Sequence, residues 1–250
     1  MNEDRIREEI LKARQSAVSK AGKDWEDYVE NFLKDSFEHI LKTSKNDELK
    51  KIIGDIEVQT MSKKSEIESI KHRFPKLYKT LFIPIMNFAK NRQFLIDNPK
   101  IIDTIFDTGV VGDTDVVAFS RKSQIPIVIV SCKVSLHGRL TETLFYSLYY
   151  RITNKIKFVL ATPDKGKQAK KGRWDTEWGN PKNPSKDRIL SMLFLDGVYV
   201  DNVPEFMPEG FDPEKDGTEL GGIVRHLSEL PIDVLRWYDD IKFSIINNKR

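Results

Sequence analysis

Two short apolar runs lying close together limit the fold more than anything else in the chain. Val116–Phe119 and Ile127–Cys132 are apolar at nearly every position and rich in Val and Ile, with a charged turn, Arg121-Lys122-Ser123, between them. An amphipathic strand would alternate. Continuous apolar runs this short mark strands covered on both faces, and the short turn makes them an antiparallel hairpin. The segments after the hairpin suit a sheet of this kind. Thr141–Thr153 has helical periodicity through Leu144, Phe145, Leu148, Tyr149 and Ile152. Lys157–Thr162 reads as a third strand and Leu190–Tyr199 as a fourth. Pro231 opens a last helix through Val234, Leu235, Tyr238 and Ile241. The order strand, strand, helix, strand, strand, helix predicts an α/β core: a mixed sheet flanked by helices.

The chain ahead of Gly109 has a different character. Residues 1–45 read as two helices broken near Ala21-Gly22. The second carries a stripe of Trp25, Tyr28, Val29, Phe32, Leu33, Phe37 and Ile40 at three- and four-residue spacing. Short helices are expected over Asp47–Ile56 and Ser65–Phe74, an apolar stretch runs from Leu77 to Phe94, and Asn98-Pro99 begins another helix. The predicted organisation is a helical N-terminal region, 1–100, suited to dimerisation or to clamping a ligand, and a core over 101–250.

With 39% hydrophobic and 32% charged residues among 250, the chain has the balance of an ordinary globular protein with enough apolar mass for a core. No apolar run approaches the roughly 20 residues of a membrane span, and the charged N-terminus does not read as a secretory signal. One cysteine, Cys132, excludes an internal disulfide and a cysteine-based zinc site. These features predict a cytoplasmic protein. The net charge of +3 says little, but its distribution says more. Between Pro163 and Arg188 the chain carries +4, so the remainder nets −1. Lys165, Lys167, Lys170, Lys171 and Arg173 crowd a Gly-, Asn- and Pro-containing loop, as expected of phosphate contacts or of a solvated surface loop. Trp174 and Trp178 in the same segment are candidates for stacking on bases or for packing anchors.

The hairpin also carries chemistry. Asp115 stands where the first strand begins, and Lys133 where the second ends, so pairing brings a carboxylate and an ammonium to one sheet edge. Ser131 and Lys133 are two apart and share a face, while Cys132 points the other way, into the core. Asp113 is a rival for the acid. An acid that holds a hard divalent cation, beside a lysine that stabilises developing charge, suits phosphodiester hydrolysis. Ser131 stands where a second acid would be expected, and serine is a poor magnesium ligand. Glu142, on the first turn of the next helix, is the best candidate to replace it, although a helix-start acid is also favoured by the helix dipole alone. Asp115 as a turn cap and Lys133 as a snorkelling strand-end lysine are the plainer alternatives.

The pattern Asp115 … Ser131-Cys132-Lys133-Val-Ser-Leu-His137-Gly138-Arg139-Leu-Thr-Glu142 resembles the PD-(D/E)XK nucleases, in particular type II restriction endonucleases of the group that reads CCGG-containing sites, BsaWI and AgeI among them. The resemblance covers about 30 residues closely. Gly22-Lys-Asp-Trp25-Glu26 adds an early-helix element in which Glu26 lies near the metal. The resemblance implies a PD-(D/E)XK core. It implies catalytic roles for Asp115, Lys133, Glu142, Ser131 and Glu26, with Mg2+ held by Asp115 and Glu142, and readout of double-stranded DNA by His137 and Arg139. The chain departs from the pattern in two places: the basic-acidic-basic reader appears only as His137-Gly138-Arg139, and Tyr146 and Ser147 stand where the helix acid is expected. Palindromic DNA calls for a two-fold protein, hence a homodimer or a higher oligomer. A repair or structure-specific nuclease and a non-catalytic DNA-binding protein on the same fold are the alternative functions.

Overall fold

The computed structural model describes residues 25–61, 64–81, 97, 114–134, 140–154, 156–163, 167–168, 174–175, 177–180, 183–201 and 223–247. The predicted stripe of the early helix forms α1 (Trp25–Thr43), which buries Tyr28, Val29, Phe32, Leu33, Phe37 and Ile40. Helix α2 (Asp47–Asp55) starts at Asn46, whose side chain accepts from the amides of Glu48 and Leu49 and satisfies two of the four donors that a helix start leaves open.

Beyond α2 the structure departs from the expected run of helices. The chain turns directly into a strand, β1 (Ile56–Thr60), which buries Ile56, Val58 and Thr60 while Glu57 and Gln59 face the other way. The helix before it hides its period of two. Helix α3 (Lys64–Arg73) comes next, and residues 75–81 are also helical.

The apolar hairpin forms as predicted: β2 (Val116–Ser120) and β3 (Pro126–Cys132) pair antiparallel and are buried at every position. Helix α4 (Leu140–Asn154) leads to β4 (Lys157–Thr162), which runs parallel to β3. The segment expected as a basic loop contains short pairings: β5 (Lys167–Gln168) with β6 (Trp174–Asp175), and β7 (Gly179–Asn180) with β8 (Asn183–Pro184). Trp178 there is completely buried, which makes it a packing anchor rather than a base-stacking residue.

The strand expected over Leu190–Tyr199 is helix and strand in succession. Ser185 caps α5 (Lys186–Phe194) by accepting from the Arg188 amide, and β9 (Gly197–Val200) comes after it. A short apolar run does not distinguish the two states by itself. Gly197 opens β9, where a Cβ would lie 2.8 Å from the Tyr199 ring. β10 (Val224–His226) and α6 (Leu230–Asn247) complete the fold.

The strands form one six-stranded mixed sheet in the order β1-β2-β3-β4-β9-β10. Helices α1, α2 and α6 cover one face, around Phe32, Val130, Val159 and Leu235. Helices α3, α4 and α5 cover the other, around Ile70, Phe119, Ile129, Leu160 and Val198. Being covered on both faces is why β2 and β3 are apolar throughout. The α/β sandwich of a mixed sheet between helices is thus present as expected.

Candidate active site

Sheet direction sets up the site. β3 and β4 are parallel and β2 runs against β3, so the start of β2 and the ends of β3 and β4 share one edge. Asp115 and Lys133 meet there. Lys133 Nζ lies 3.4 Å from Asp115 Oδ2, and the Cys132 amide donates to that same oxygen at 2.6 Å. Both side chains are largely buried, Lys133 10% and Asp115 15% exposed. An ammonium so removed from water is tolerated when an anion faces it.

The backbone around the pair is tied on every side. The Asp115 amide donates to Val130 O, Asp115 O accepts from the Met61 amide, and the Lys133 amide donates to Ala161 O. Ala161 O also accepts from Trp25 Nε1 at 3.0 Å. One carbonyl on β4 thus joins the lysine's backbone to the first residue of α1. Trp25 is held in turn by stacking on Tyr28, with ring centroids 5.1 Å apart.

A second tie from the same helix is not signalled by the sequence. Glu30 Oε1 accepts from the Thr60 amide at 3.1 Å and pairs with Lys34 at 2.6 Å. Thr60 precedes Met61, whose amide holds Asp115 O. No local motif marks Glu30; only its position one helical turn after Glu26, on a helix that reaches the site, points to it.

Cys132 is buried in the core on the face away from Ser131, as predicted. Ser131 is completely buried, and its Oγ lies 3.1 Å from Thr143 Oγ1, which joins β3 to α4. Glu142 precedes Thr143 on the first turn of α4 and is exposed. Ser147, one turn further, is buried and donates to Phe194 O. Glu26 is half-buried on the first turn of α1. Asp113, His137, Arg139, Lys165, Lys170, Lys171 and Arg173 lie outside the described residues. Lys167 is placed by its backbone on β5, opposite Asp175.

The stretch of chain that forms this edge is also similar to known proteins. Residues 96–215 match the family model for BsaWI restriction endonuclease type 2, a span that includes Asp115, Ser131, Lys133 and Glu142. A Methanocaldococcus jannaschii protein that goes by the name type II restriction enzyme MjaVIP is 26% identical over 232 residues, which cover 89% of this chain and 85% of that one. Both likenesses are to type II restriction endonucleases.

Restriction endonucleases generally work with a divalent metal, and the donor chemistry here agrees with one. Asp115 supplies a hard carboxylate at the sheet edge, and Glu142 and Glu26 stand on the first turns of the two helices that begin there. Among the described residues no three His, Cys, Asp or Glu side chains converge into a ready-made metal cluster. No helix among the described residues is long and apolar enough to cross a membrane.

Proposed function

We propose that this protein is a restriction endonuclease that cuts both strands of double-stranded DNA in a magnesium-dependent reaction, at a site with a CCGG core, as a homodimer in the cytoplasm. The observation that carries the chemistry is the buried Asp115–Lys133 contact at the edge where β2, β3 and β4 meet. Asp115, with Glu142, would hold the metal, which supplies charge neutralisation and an activated water when bound. Lys133 places a fixed positive charge where the phosphate's negative charge develops, and its burial keeps that charge from being screened.

The remaining residues orient the reaction. Trp25 and Glu30 fix the backbone on either side of the pair, and Glu26 stands at the same helix start. Ser131 acts by locking α4 against β3 rather than as a ligand. Arg139 and His137, between Lys133 and α4, are the base readers, with the Arg139 guanidinium bidentate to a guanine. Lys165, Lys167, Lys170, Lys171 and Arg173 contact phosphates. Residues 1–100 contribute to the clamp on DNA.

Digestion of unmethylated phage DNA with magnesium, with sequencing of the ends, tests this reading. Discrete fragments that share one terminal sequence with a CCGG core are expected. A smear, or cutting only at junctions and flaps, would replace restriction with a repair activity. Protection from cutting in EDTA, reversed by magnesium, checks the metal.

A further inference from the structure

Helices α4 and α5 leave an apolar surface uncovered on the outside of the molecule. Phe145 and Leu148 on α4, with Ile189, Met192 and Leu193 on α5, are between 43% and 63% exposed. The spacing is helical on both: three apart on α4, and three and four apart on α5. The inward faces are fully used, by Thr143, Leu144 and Ser147 on α4 and by Arg188 and Ser191 on α5. The two helices are joined by the bond from Ser147 to Phe194 O, so their outer faces adjoin.

The direction of these helices matters as much as their composition. α4 connects β3 to β4, and α5 precedes β9, which is parallel to β4. Each helix ends two or three residues before its strand begins, so both run against the strands and start at the edge that holds Asp115 and Lys133. The apolar face therefore extends back from the catalytic edge.

We infer that this face is the homodimer interface: a second copy packs its α4 and α5 on the same face, with the two-fold axis running along the helices. This rests on the proposed two-fold cutting of a palindrome, and it names the surface that provides it. An axis along parallel helices turns both catalytic edges toward one side, where a single duplex can meet both. An axis across the helices would turn the sites in opposite directions. The area agrees. Five large apolar side chains about half exposed offer roughly 500 Å² per protomer. A standard interface buries about 800 Å² per partner, of which some 60% is apolar. A patch of that size is at the upper end of what a monomer exposes, and such patches are often functional.

Sedimentation velocity of the full chain at micromolar concentration is the test, using wild type and the double variant Phe145→Asp/Leu193→Asp. Wild type should sediment as a dimer and the variant as a monomer. Circular dichroism should be unchanged, because both side chains already face solvent in the protomer. On supercoiled plasmid with magnesium, the variant should linearise at least tenfold more slowly and accumulate nicked circles. A double variant that remains dimeric overturns the face and leaves the two-fold reading standing. A wild-type monomer, even with a duplex site in calcium, overturns both, while plasmid cutting still decides whether the chain is a nuclease. Should the double variant misfold, Leu193→Cys with a short bismaleimide gives the answer, since the native Cys132 is buried. A crosslinked dimer supports the interface, and its absence overturns it.

Discussion

Lys133 Nζ and the Cys132 amide converge on one oxygen of Asp115, at 3.4 and 2.6 Å. The carboxylate therefore has two separable jobs, one electrostatic and one structural. Asp115→Asn keeps an oxygen acceptor for the Cys132 amide and removes the charge. It should lose cleavage and some stability, because the buried Lys133 ammonium is left without its anion. Asp115→Ala also strands that amide, at about 1–3 kcal/mol, and should melt at lower urea. Lys133→Ala should slow cleavage by about 100- to 1000-fold, the loss expected when one preorganised positive group is removed. DNA binding in calcium, read by gel shift, should stay within a few-fold of wild type for both Asp115→Asn and Lys133→Ala.

Trp25 acts on the same lysine from α1, through the carbonyl it shares with the Lys133 amide. Trp25→Phe keeps the stack on Tyr28 and removes the N–H donor. The expected stability loss is about 1 kcal/mol. The expected kinetic change is a fall in kcat of about tenfold with KM unchanged, because a misplaced catalytic group costs rate before it costs binding. Equal loss in kcat and KM, or none in either, would confine Trp25 to packing.

The sequence discloses these positions unevenly, for physical reasons. Asp115, Cys132 and Lys133 are readable because a doubly buried hairpin announces itself, and side-chain alternation then places each residue. The α1 stripe is readable because its period is long enough to count. Strand β1 is hidden because five residues directly after a helix offer barely two periods. The second half of α5, from Leu190, reads as strand because its apolar residues join those of β9 in one run. Glu30 and the α4–α5 face depend on which elements end up adjacent, which no local pattern encodes.

Glu142 is exposed on the first turn of α4, directly before the threonine that meets Ser131. In its proposed role as second metal carboxylate it should be indispensable for cutting and irrelevant to folding. Glu142→Ala should abolish plasmid cleavage, keep DNA binding, and change unfolding free energy by no more than about 0.5 kcal/mol, as for other exposed positions. Glu30→Ala should do the opposite: it releases the Thr60 amide and destabilises the fold by about 1 kcal/mol. Full activity in Glu142→Ala would assign the metal's second acid to another residue.

Alkaline pH should weaken the fold through its tyrosines. Burial, and then the hydrogen bond to Asp55, push the Tyr238 hydroxyl up to about 12; burial and Tyr146 push Tyr149 to about 12. Tyr199 is raised further by burial and by Asp233. A phenol whose folded pKa exceeds its unfolded value of about 10 stabilises the fold fully below pH 10 and loses that contribution as pH rises toward 12. Unfolding midpoints should therefore fall between pH 10 and 12. Tyr238→Phe should reduce that fall; an unchanged profile would mean that Tyr238 has no part in it.

Asp233 anchors α6 to the sheet far from the catalytic pair in sequence. Its carboxylate accepts from Tyr199 Oη at 2.5 Å, from Arg225 at 2.6 Å and from Arg236 at 3.1 Å, and it is almost fully buried. Removing one partner of a buried pair costs more than the pair contributes, because the other charge is left without compensation. Both arginines here are partly exposed, and water recovers some of that loss. Asp233→Ala should thus cost about 2–3 kcal/mol, seen as a thermal midpoint lower by roughly 4–12 °C for a chain of this size. Asp233→Asn, which still accepts from Tyr199, should lose less. Cleavage per folded molecule at low temperature should match wild type for both, since the network lies on the α6 face, two strands over from Lys133. A drop in kcat without a drop in stability would instead tie α6 to the catalytic machinery.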